Sequence, residues 1–152
     1  MEEFRIVVKT STVVEGAVGW GAVVRSASGA VWELAGPAPP GNEGAMMYAT
    51  LMGIVEALGV LPRPAVVHVA TDVQYIANGF NDSLDRWQQR GWKKKGRGRV
   101  AYRELWEQIV HERSRHELSI AWTKLGSDGL LAAELAVFGR EGERVFNATP
   151  PG

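Results

Sequence analysis

Residues 65–72 have the sequence AVVHVATD, a continuous apolar run that is broken only by His68 and is closed by Thr71 and Asp72. Such a run is typical of a central strand buried between layers of helix. In that setting a histidine is more often a satisfied core residue than a ligand, and we expect this of His68. The segment therefore predicts an inner strand whose end is marked by an acidic side chain.

Three further strands are predicted before this segment, and a helix connects them to it. Residues 4–8, 19–24 and 30–34 are β-forming runs separated by polar and glycine-containing turns, which predicts an antiparallel meander. From Ala45 to Leu58, apolar residues recur at helical spacing. Three strands followed by a helix and a buried strand indicate an α/β domain with a mixed sheet.

The second half of the chain continues the mixture of helices and strands. Patterns predict helices over 73–80, 84–90, 100–113 and 130–138, and a strand over 118–123. We expect one domain over residues 1–139, because a chain of 152 residues is of single-domain size. Residues 140–152 have little pattern and are predicted to be a partly disordered C-terminal tail.

Composition excludes several classes of site. The chain has no cysteine, which rules out disulfides, thiolate metal sites and thiol nucleophiles. Seventeen basic and seventeen acidic residues balance, so the overall charge does not point to nucleic acid or to an anionic membrane. The start, Met1-Glu2-Glu3-Phe4, has no signal-peptide pattern, and no stretch is apolar enough to span a membrane. We expect a cytoplasmic protein without a membrane partner.

Positive charge is nevertheless concentrated in one segment. Residues 86–99 interleave seven basic residues with two tryptophans, a composition used to contact phosphates and to pack against sugars or bases. For the tryptophans we favour packing in a small local core, and for Lys93, Lys94, Lys95, Arg97 and Arg99 we favour contact with nucleic acid. The candidate nucleic-acid-binding residues are Trp87, Arg90, Trp92, Lys93, Lys94, Lys95, Arg97 and Arg99.

Residues 19–22, Gly-Trp-Gly-Ala, and residues 71–76, Thr-Asp-Val-Gln-Tyr-Ile, are similar to two segments that occur together in one family, a Gly-(Trp/Tyr)-Gly-Ala strand and a Thr-Asp-Ser-Gln-Tyr-Val segment. The family they resemble is ribonuclease H of the type 1, or HI, class. Residues 86–93 resemble the opening of the family's basic protrusion. The resemblance spans residues 4–138. It implies a ribonuclease H-like fold with a five-stranded mixed sheet, in which two parallel strands follow three antiparallel ones, helices on both faces and a basic protrusion.

The same resemblance implies a reaction that this chain is poorly equipped to perform. The family cuts the RNA strand of an RNA/DNA hybrid with two Mg²⁺ ions, which need a cluster of carboxylates. Of the four family positions only Asp72 keeps its acid, whereas Lys9 (or Thr10, one residue along), Met47 and Ala133 occupy the other three. We therefore expect no metal ion, and Mg²⁺ or Mn²⁺ only if the chain is active.

Asp72 and the neighbouring acids leave alternatives open. Asp72 is interpreted either as a cap of the following helix or as the partner of an inward-pointing Lys9. Other acids lie within a few residues of the lost positions, but neighbours on a helix point about 100° apart, so Glu134 does not simply replace Ala133. These displaced acids are Glu15, Glu43, Asp128 and Glu134.

Three hypotheses follow. The first is a catalytically defective ribonuclease H-like protein that binds RNA/DNA hybrid or double-stranded RNA by shape and backbone contacts. The second is a divergent metal-dependent ribonuclease H whose ligands include Asp72. The third is a protein-interaction module on the same scaffold, acting with a protein partner or as a homodimer.

Overall fold

A mixed sheet organises the chain, for which a computed structural model describes residues 1–41, 44–94, 96 and 98–150. The strands are β1 (Glu3–Thr10), β2 (Gly19–Ser26), β3 (Val31–Pro37), β4 (Val66–Thr71), β5 (Glu117–Trp122) and β6 (Val145–Thr149). Within the described residues they form one sheet in the order β5-β4-β1-β2-β3-β6. β1 pairs antiparallel with β2, β2 with β3, and β3 with β6, whereas β4 pairs parallel with β1 and with β5.

Helices cover both faces of this sheet, as the sequence predicted. The helices are α1 (Ala45–Gly59), α2 (Gln74–Asn78), α3 (Leu84–Gln89), α4 (Arg103–Arg115) and α5 (Gly126–Arg140), and a π-helical turn, Gly79–Ser83, joins α2 to α3. α1 packs on one face of β1 and β2, and α4 packs beside it. α5 packs on the other face, against β1, β2 and β3. None of the described helices is both long enough and apolar enough to span a membrane.

Two glycines of β2 explain how closely α5 approaches the sheet. A Cβ atom at Gly21 would lie 2.1 Å from the carbonyl oxygen of Ala132, and one at Gly19 would lie 2.1 Å from the backbone nitrogen of Arg140. Any side chain at either position would push the helix away from the strand. The Gly-Trp-Gly pattern therefore places glycines towards α5 and the buried Trp20 towards α1, where Trp20 contacts Gly53.

The prediction of five strands is wrong by one. The sixth strand, β6, lies in the segment that was predicted to be a partly disordered tail, and it pairs with β3 from Ala35↔Val145 to Val31↔Thr149. Val145 packs against the buried cluster beneath α5, while Phe146 stays 59% exposed. The strand is short and mostly exposed, so its pairing with β3, rather than its own apolar pattern, accounts for it.

The prediction that His68 is a core residue is also wrong. β4 lies between β1 and β5, but α5 packs on β1, β2 and β3, and the side chain of His68 is 52% exposed. The neighbouring side chains of Val67 and Val69 point to the α1 face and are buried. An apolar run with one polar residue is therefore, here, a strand with one partly open face.

Candidate functional site

A cleft of about 330 Å³ opens where β1 and β4 end, beside the first turns of α1. Because β1 and β4 are parallel, their carboxyl ends meet at one edge of the sheet, and this brings together Lys9 and Asp72, which are 63 residues apart in sequence. We call this cavity the strand-end cleft. Its lining residues are Lys9, Thr10, Met46, Met47, Thr50, Asp72 and Val73.

An ion pair lies in the strand-end cleft. The Nζ atom of Lys9 donates a hydrogen bond of 2.7 Å to Oδ2 of Asp72, and the two side chains are 35% and 43% exposed. Val73, not Asp72, occupies the N-cap position of α2, and its N–H donates to Oγ1 of Thr71. The structure therefore supports the ion-pair interpretation of Asp72 and not the helix-cap interpretation.

A second cavity, of about 500 Å³, lies between α2 and the segment 84–102, which we call the basic protrusion. Three exposed cations, Arg86, Arg90 and Lys94, line this basic groove. Partial burial raises the pKa of Tyr75 above its ordinary value, so its phenol stays protonated at neutral pH and is able to donate a hydrogen bond. The complete lining consists of Tyr75, Ser83, Arg86, Trp87, Arg90 and Lys94.

The basic groove adjoins the strand-end cleft. Tyr75 follows Asp72 by three residues, which at most span about 10 Å of chain. Arg90 and Lys94 were predicted from the sequence and Arg86 belongs to the same basic segment, whereas Tyr75 and Ser83 were not predicted. The π-helical turn that joins α2 to α3 places these two residues beside the cations. The one local signal was that Tyr75 belongs to the 71–76 segment.

The two tryptophans of the protrusion have different environments. Trp92 is only 7% exposed, its backbone N–H donates to the carbonyl oxygen of Trp87, and the guanidinium carbon of Arg103 lies 5.9 Å from the centre of its ring. This burial agrees with the favoured interpretation of Trp92 as part of a small local core and does not support it as a nucleic-acid contact, because a buried ring cannot stack on a base. Trp87 is half-buried, lies edge-on to Trp106 with 5.3 Å between ring centres, and also lines the basic groove.

A short hairpin carries the remaining cations of the protrusion. Lys93 and Arg99 face each other in an antiparallel bridge, and the N–H of Lys94 donates to the carbonyl oxygen of Gly98. Lys93, Lys94 and Arg99 are all exposed, as contact with phosphates requires. The other two predicted contacts, Lys95 and Arg97, lie outside the described residues.

Comparison with known proteins assigns the chain to a family. A family model described as RNase H matches residues 10–130. A ribonuclease H of Stutzerimonas stutzeri (strain A1501) is 37% identical over 106 residues, which are 70% of this chain and 68% of that relative. The chain belongs to the RNase H family.

One further relative agrees with this assignment, and two solved structures agree with the fold. A ribonuclease HI of Caulobacter vibrioides is 31% identical over 129 residues, covering 85% of this chain and 84% of the relative. The structure of LC9-RNase H1, described as a type 1 RNase H with the type 2 active-site motif, has a TM-score of 0.78 and 21% identity, covering 97% of this chain and 77% of that chain. A foamy viral protease–reverse transcriptase in complex with RNA/DNA hybrid has a TM-score of 0.63 and 15% identity, covering 91% of this chain and 20% of that chain.

The structure places in the strand-end cleft three of the four residues that the resemblance matches to carboxylates of the family. Lys9, Met47 and Asp72 all line it, whereas Ala133 lies on α5 and is not among the lining residues. The neighbours Ala132 and Ala136 face the sheet, and Ala133 is half-buried. The cleft therefore contains an ammonium, a thioether and one carboxylate where the family pattern has acids.

Displaced acids do not fill the gap within the described part of the chain. Asp128 makes two hydrogen bonds, of 2.8 and 2.9 Å, to the guanidinium of Arg25, and this contact raises the pKa of Arg25 above its ordinary value. Arg25 pairs with Arg5, four residues before Lys9, so Asp128 is held about 13 Å along the strand from the cleft. Glu134 is exposed on α5, and Asp128 is bound elsewhere.

The other two displaced acids are also not in the described cleft. Glu15 is exposed in the turn between β1 and β2, where it has a φ of 49°. Glu43 lies outside the described residues.

The donor set of the cleft does not fit a pair of Mg²⁺ ions. Mg²⁺ prefers several oxygen ligands in octahedral geometry, and thioethers are poor ligands for it. In the described cleft the one carboxylate already accepts a hydrogen bond from an ammonium, and the hydroxyl of Thr50 donates to the carbonyl oxygen of Met46. Among residues 1–41, 44–94, 96 and 98–150, no cluster of three or more His, Cys, Asp or Glu residues is arranged to hold a metal ion.

Proposed function

We propose that this RNase H family member binds RNA/DNA hybrid or double-stranded RNA without cleaving it. The observation that carries the proposal is the Lys9–Asp72 ion pair in the strand-end cleft. Two-metal hydrolysis needs negative ligands at this place, and here an ammonium neutralises the one retained carboxylate. Loss of catalytic charge and retention of the basic protrusion together favour binding over hydrolysis.

The charges around the two cavities suit a nucleic-acid backbone. Arg86, Arg90 and Lys94 line the basic groove, and Tyr75 adds a hydrogen-bond donor beside them. The ammonium of Lys9, although paired, reduces the repulsion that an unpaired carboxylate would exert on an approaching phosphate. Cationic and hydroxyl donors of this kind contact phosphates and sugars and do not read base sequence.

Recognition in this proposal depends on the shape and charge of the duplex. Double-stranded RNA and RNA/DNA hybrids present a wide, shallow minor groove with 2′-hydroxyls, which proteins recognise by shape and backbone contact. The nearly neutral net charge of the whole chain does not oppose this, because the cations are concentrated in the protrusion. We expect weak dependence on base sequence and strong dependence on salt.

One assay separates binding from cleavage. Purified protein is incubated with a labelled RNA/DNA hybrid in Mg²⁺, Mn²⁺ or EDTA, and retardation and strand integrity are measured from the same tubes. The proposal predicts retardation of intact hybrid in all three conditions. Cleavage that requires the metal ion and disappears in Asp72→Asn would overturn it, and absence of retardation at low salt would also count against it.

The second candidate function is a divergent metal-dependent ribonuclease H. Its support is that relatives 31% and 37% identical to this chain are named ribonuclease HI and ribonuclease H. Activity would require Lys9 to leave Asp72, and further carboxylates to join it. The same assay tests this candidate, because it predicts cleaved hybrid in Mg²⁺ or Mn²⁺ and intact hybrid in EDTA.

A further inference from the structure

A row of polar side chains crosses the sheet on the face that packs against α5, four residues before Lys9 along β1. Arg5 of β1, His68 of β4 and Ser119 of β5 are register partners in the order Arg5↔His68↔Ser119, so their side chains point to the same face. This is the face on which α5 packs, but α5 covers β1, β2 and β3. The outer part of the row is therefore open to solvent.

Hydrogen bonds fix His68 within this row. Its Nε2 atom lies 2.9 Å from Oε1 of Glu3, and its Nδ1 atom lies 2.9 Å from Oγ of Ser119. Because an ionised carboxylate only accepts hydrogen bonds, Nε2–H donates to Glu3, and in the neutral ring Nδ1 accepts from the Ser119 hydroxyl. The imidazole is thus held at both ends and forms a fixed wall on the sheet.

A cleft of about 270 Å³ lies beside this wall, and we call it the sheet-face cleft. Ala70 and Ala121 are register partners two residues further along β4 and β5, on the same face of the sheet. Their small side chains leave space above the sheet. Arg5 and Lys124 bring two cations to the cleft, and Thr123 brings a hydroxyl. A small apolar floor with a few convergent polar groups is the usual composition of a small-molecule site.

The charge of this cleft is not neutralised within the described part of the chain. Arg5 and Lys124 make no ion pair there within 4.0 Å, whereas the nearby Arg25 is paired with Asp128. The carboxylate that comes nearest the row, Glu3, is held by His68 and lines a neighbouring cavity instead. The sheet-face cleft therefore has two cations available for an anion.

We propose that the sheet-face cleft binds a phosphate group, carried either by a nucleoside phosphate or by a nucleic-acid backbone. Arg5 and Lys124 supply charge-assisted donors, and Thr123 supplies a third hydrogen bond. The floor formed by Ala70 and Ala121 accommodates an apolar or aromatic part of the ligand. The sheet-face cleft shares no lining residue with the strand-end cleft or with the basic groove, and Arg5 lies about 13 Å before Lys9 along β1. Its two cations can therefore be substituted without changing the proposed duplex interface.

The test is an amide NMR titration of the whole chain with inorganic phosphate and, separately, with adenosine monophosphate, at constant ionic strength. We expect saturable shifts at residues 119–124 and at Arg5. The double variant Arg5→Ala/Lys124→Ala removes both cations, and we expect it to weaken binding about tenfold or more. The matched control, Arg90→Ala/Lys94→Ala, makes the same change of charge in the basic protrusion and should leave the shifts at residues 119–124 and at Arg5 unchanged.

A parallel measurement of hybrid affinity distinguishes the two sources of phosphate. If the small ligands bind and the hybrid affinity is unchanged in Arg5→Ala/Lys124→Ala, the source is a free nucleotide. If the small ligands do not bind but the hybrid affinity falls in that variant, the source is a nucleic-acid backbone. No titration response together with unchanged hybrid affinity overturns the proposal, as does an equal titration in the wild type and the double variant. A change of hybrid affinity in Arg90→Ala/Lys94→Ala supports or contradicts the proposed duplex interface and has no bearing on the sheet-face cleft.

Discussion

Replacing Lys9 by Asp is the most direct perturbation of the strand-end cleft. The variant Lys9→Asp removes an ammonium that lies 2.7 Å from Asp72 and puts a second carboxylate in its place. We expect the folded protein to become less stable without divalent cations and to gain a response to Mg²⁺ that the wild type lacks. The physical reason is that two neighbouring carboxylates repel each other until a cation lies between them.

The size of the effect follows from the exposure of the pair. Both side chains are more than a third exposed, at 35% and 43%, so solvent screens the ion pair and its loss costs at most about 1 kcal/mol. Repulsion between the carboxylates adds a similar amount, which gives about 1–2 kcal/mol, or roughly 3–6 °C in Tm for a chain of this size. Mg²⁺ at about ten times its Kd should raise the free energy of unfolding of Lys9→Asp by about 1.4 kcal/mol.

Thermal unfolding with and without Mg²⁺ measures this prediction. Lys9→Ala is the matched control, because it removes the ion pair without adding a carboxylate, and its Tm should not respond to Mg²⁺. The reasoning is refuted if the wild type is stabilised by Mg²⁺ as much as Lys9→Asp is. It is also refuted if Lys9→Asp unfolds at the same temperature in Mg²⁺ and in EDTA.

Three further predictions concern the protrusion and the core. If Arg90 and Lys94 contact phosphates, removing both should reduce the slope of log affinity against log salt by about 1.4–1.8 in hybrid binding. Trp92→Ala should lower the free energy of unfolding by about 3 kcal/mol, measured by urea denaturation, because the ring is 7% exposed. Burial lowers the pKa of His116 in the folded chain below its ordinary 6.5. As the pH falls, the unfolded chain therefore binds a proton at this residue before the folded chain does. Stability should therefore fall as the pH drops from 6.5 towards the lower folded-state pKa.

Each of these predictions has a control. Arg63 is 77% exposed and distant from the basic groove, so Arg63→Ala should leave the salt slope nearly unchanged, and an equal reduction would contradict a specific interface. Trp122 is 58% exposed, and Trp122→Ala should cost much less than Trp92→Ala. For His116, the decline below pH 6.5 should be smaller in His116→Gln, and an unchanged pH profile would show that its burial does not control acid stability.

The structure explains why protonation of His116 is unfavourable. Its Nδ1 atom accepts a hydrogen bond of 3.0 Å from the backbone N–H of Ala65, so a proton at Nδ1 would have to break that bond. Nε2 lies 3.2 Å from the carboxylate of Glu112, which opposes the lowering of the pKa but does not outweigh burial. Sequence alone could not reveal this contact, because Ala65 and His116 are 51 residues apart.

Local patterns predicted most of the secondary structure. The helix from Ala45 to Leu58 and the strands of the meander occur within a few residues of their predicted bounds, because each has an apolar face with a clear period. The last helix begins at Gly126, four residues before its predicted start. β6 was missed because, of its five residues, only Val145 is partly buried, which gives too little alternation to predict a strand. Pairing with β3 supplies its hydrogen bonds.

The basic protrusion was predicted as a charged segment, but its internal arrangement was not. Composition identifies seven basic residues and two tryptophans, without stating which side chains face solvent. In the fold, Trp92 packs inward and Arg86, Arg90 and Lys94 line one groove. The path of the chain through α2, the π-helical turn and α3 decides this, because it places Tyr75, Ser83 and these cations along one groove.

The identities and spacing of the side chains were enough to predict an RNase H fold and to predict that most of the expected carboxylates are replaced. Residue type and spacing are local properties, and the substitutions at Lys9, Met47 and Ala133 are visible in the sequence. Only the tertiary structure decided that Lys9 reaches Asp72 and that Asp128 is held by Arg25. These contacts join residues 63 and 103 positions apart, and the parallel pairing of β1 with β4 and the packing of α5 on the sheet bring them together.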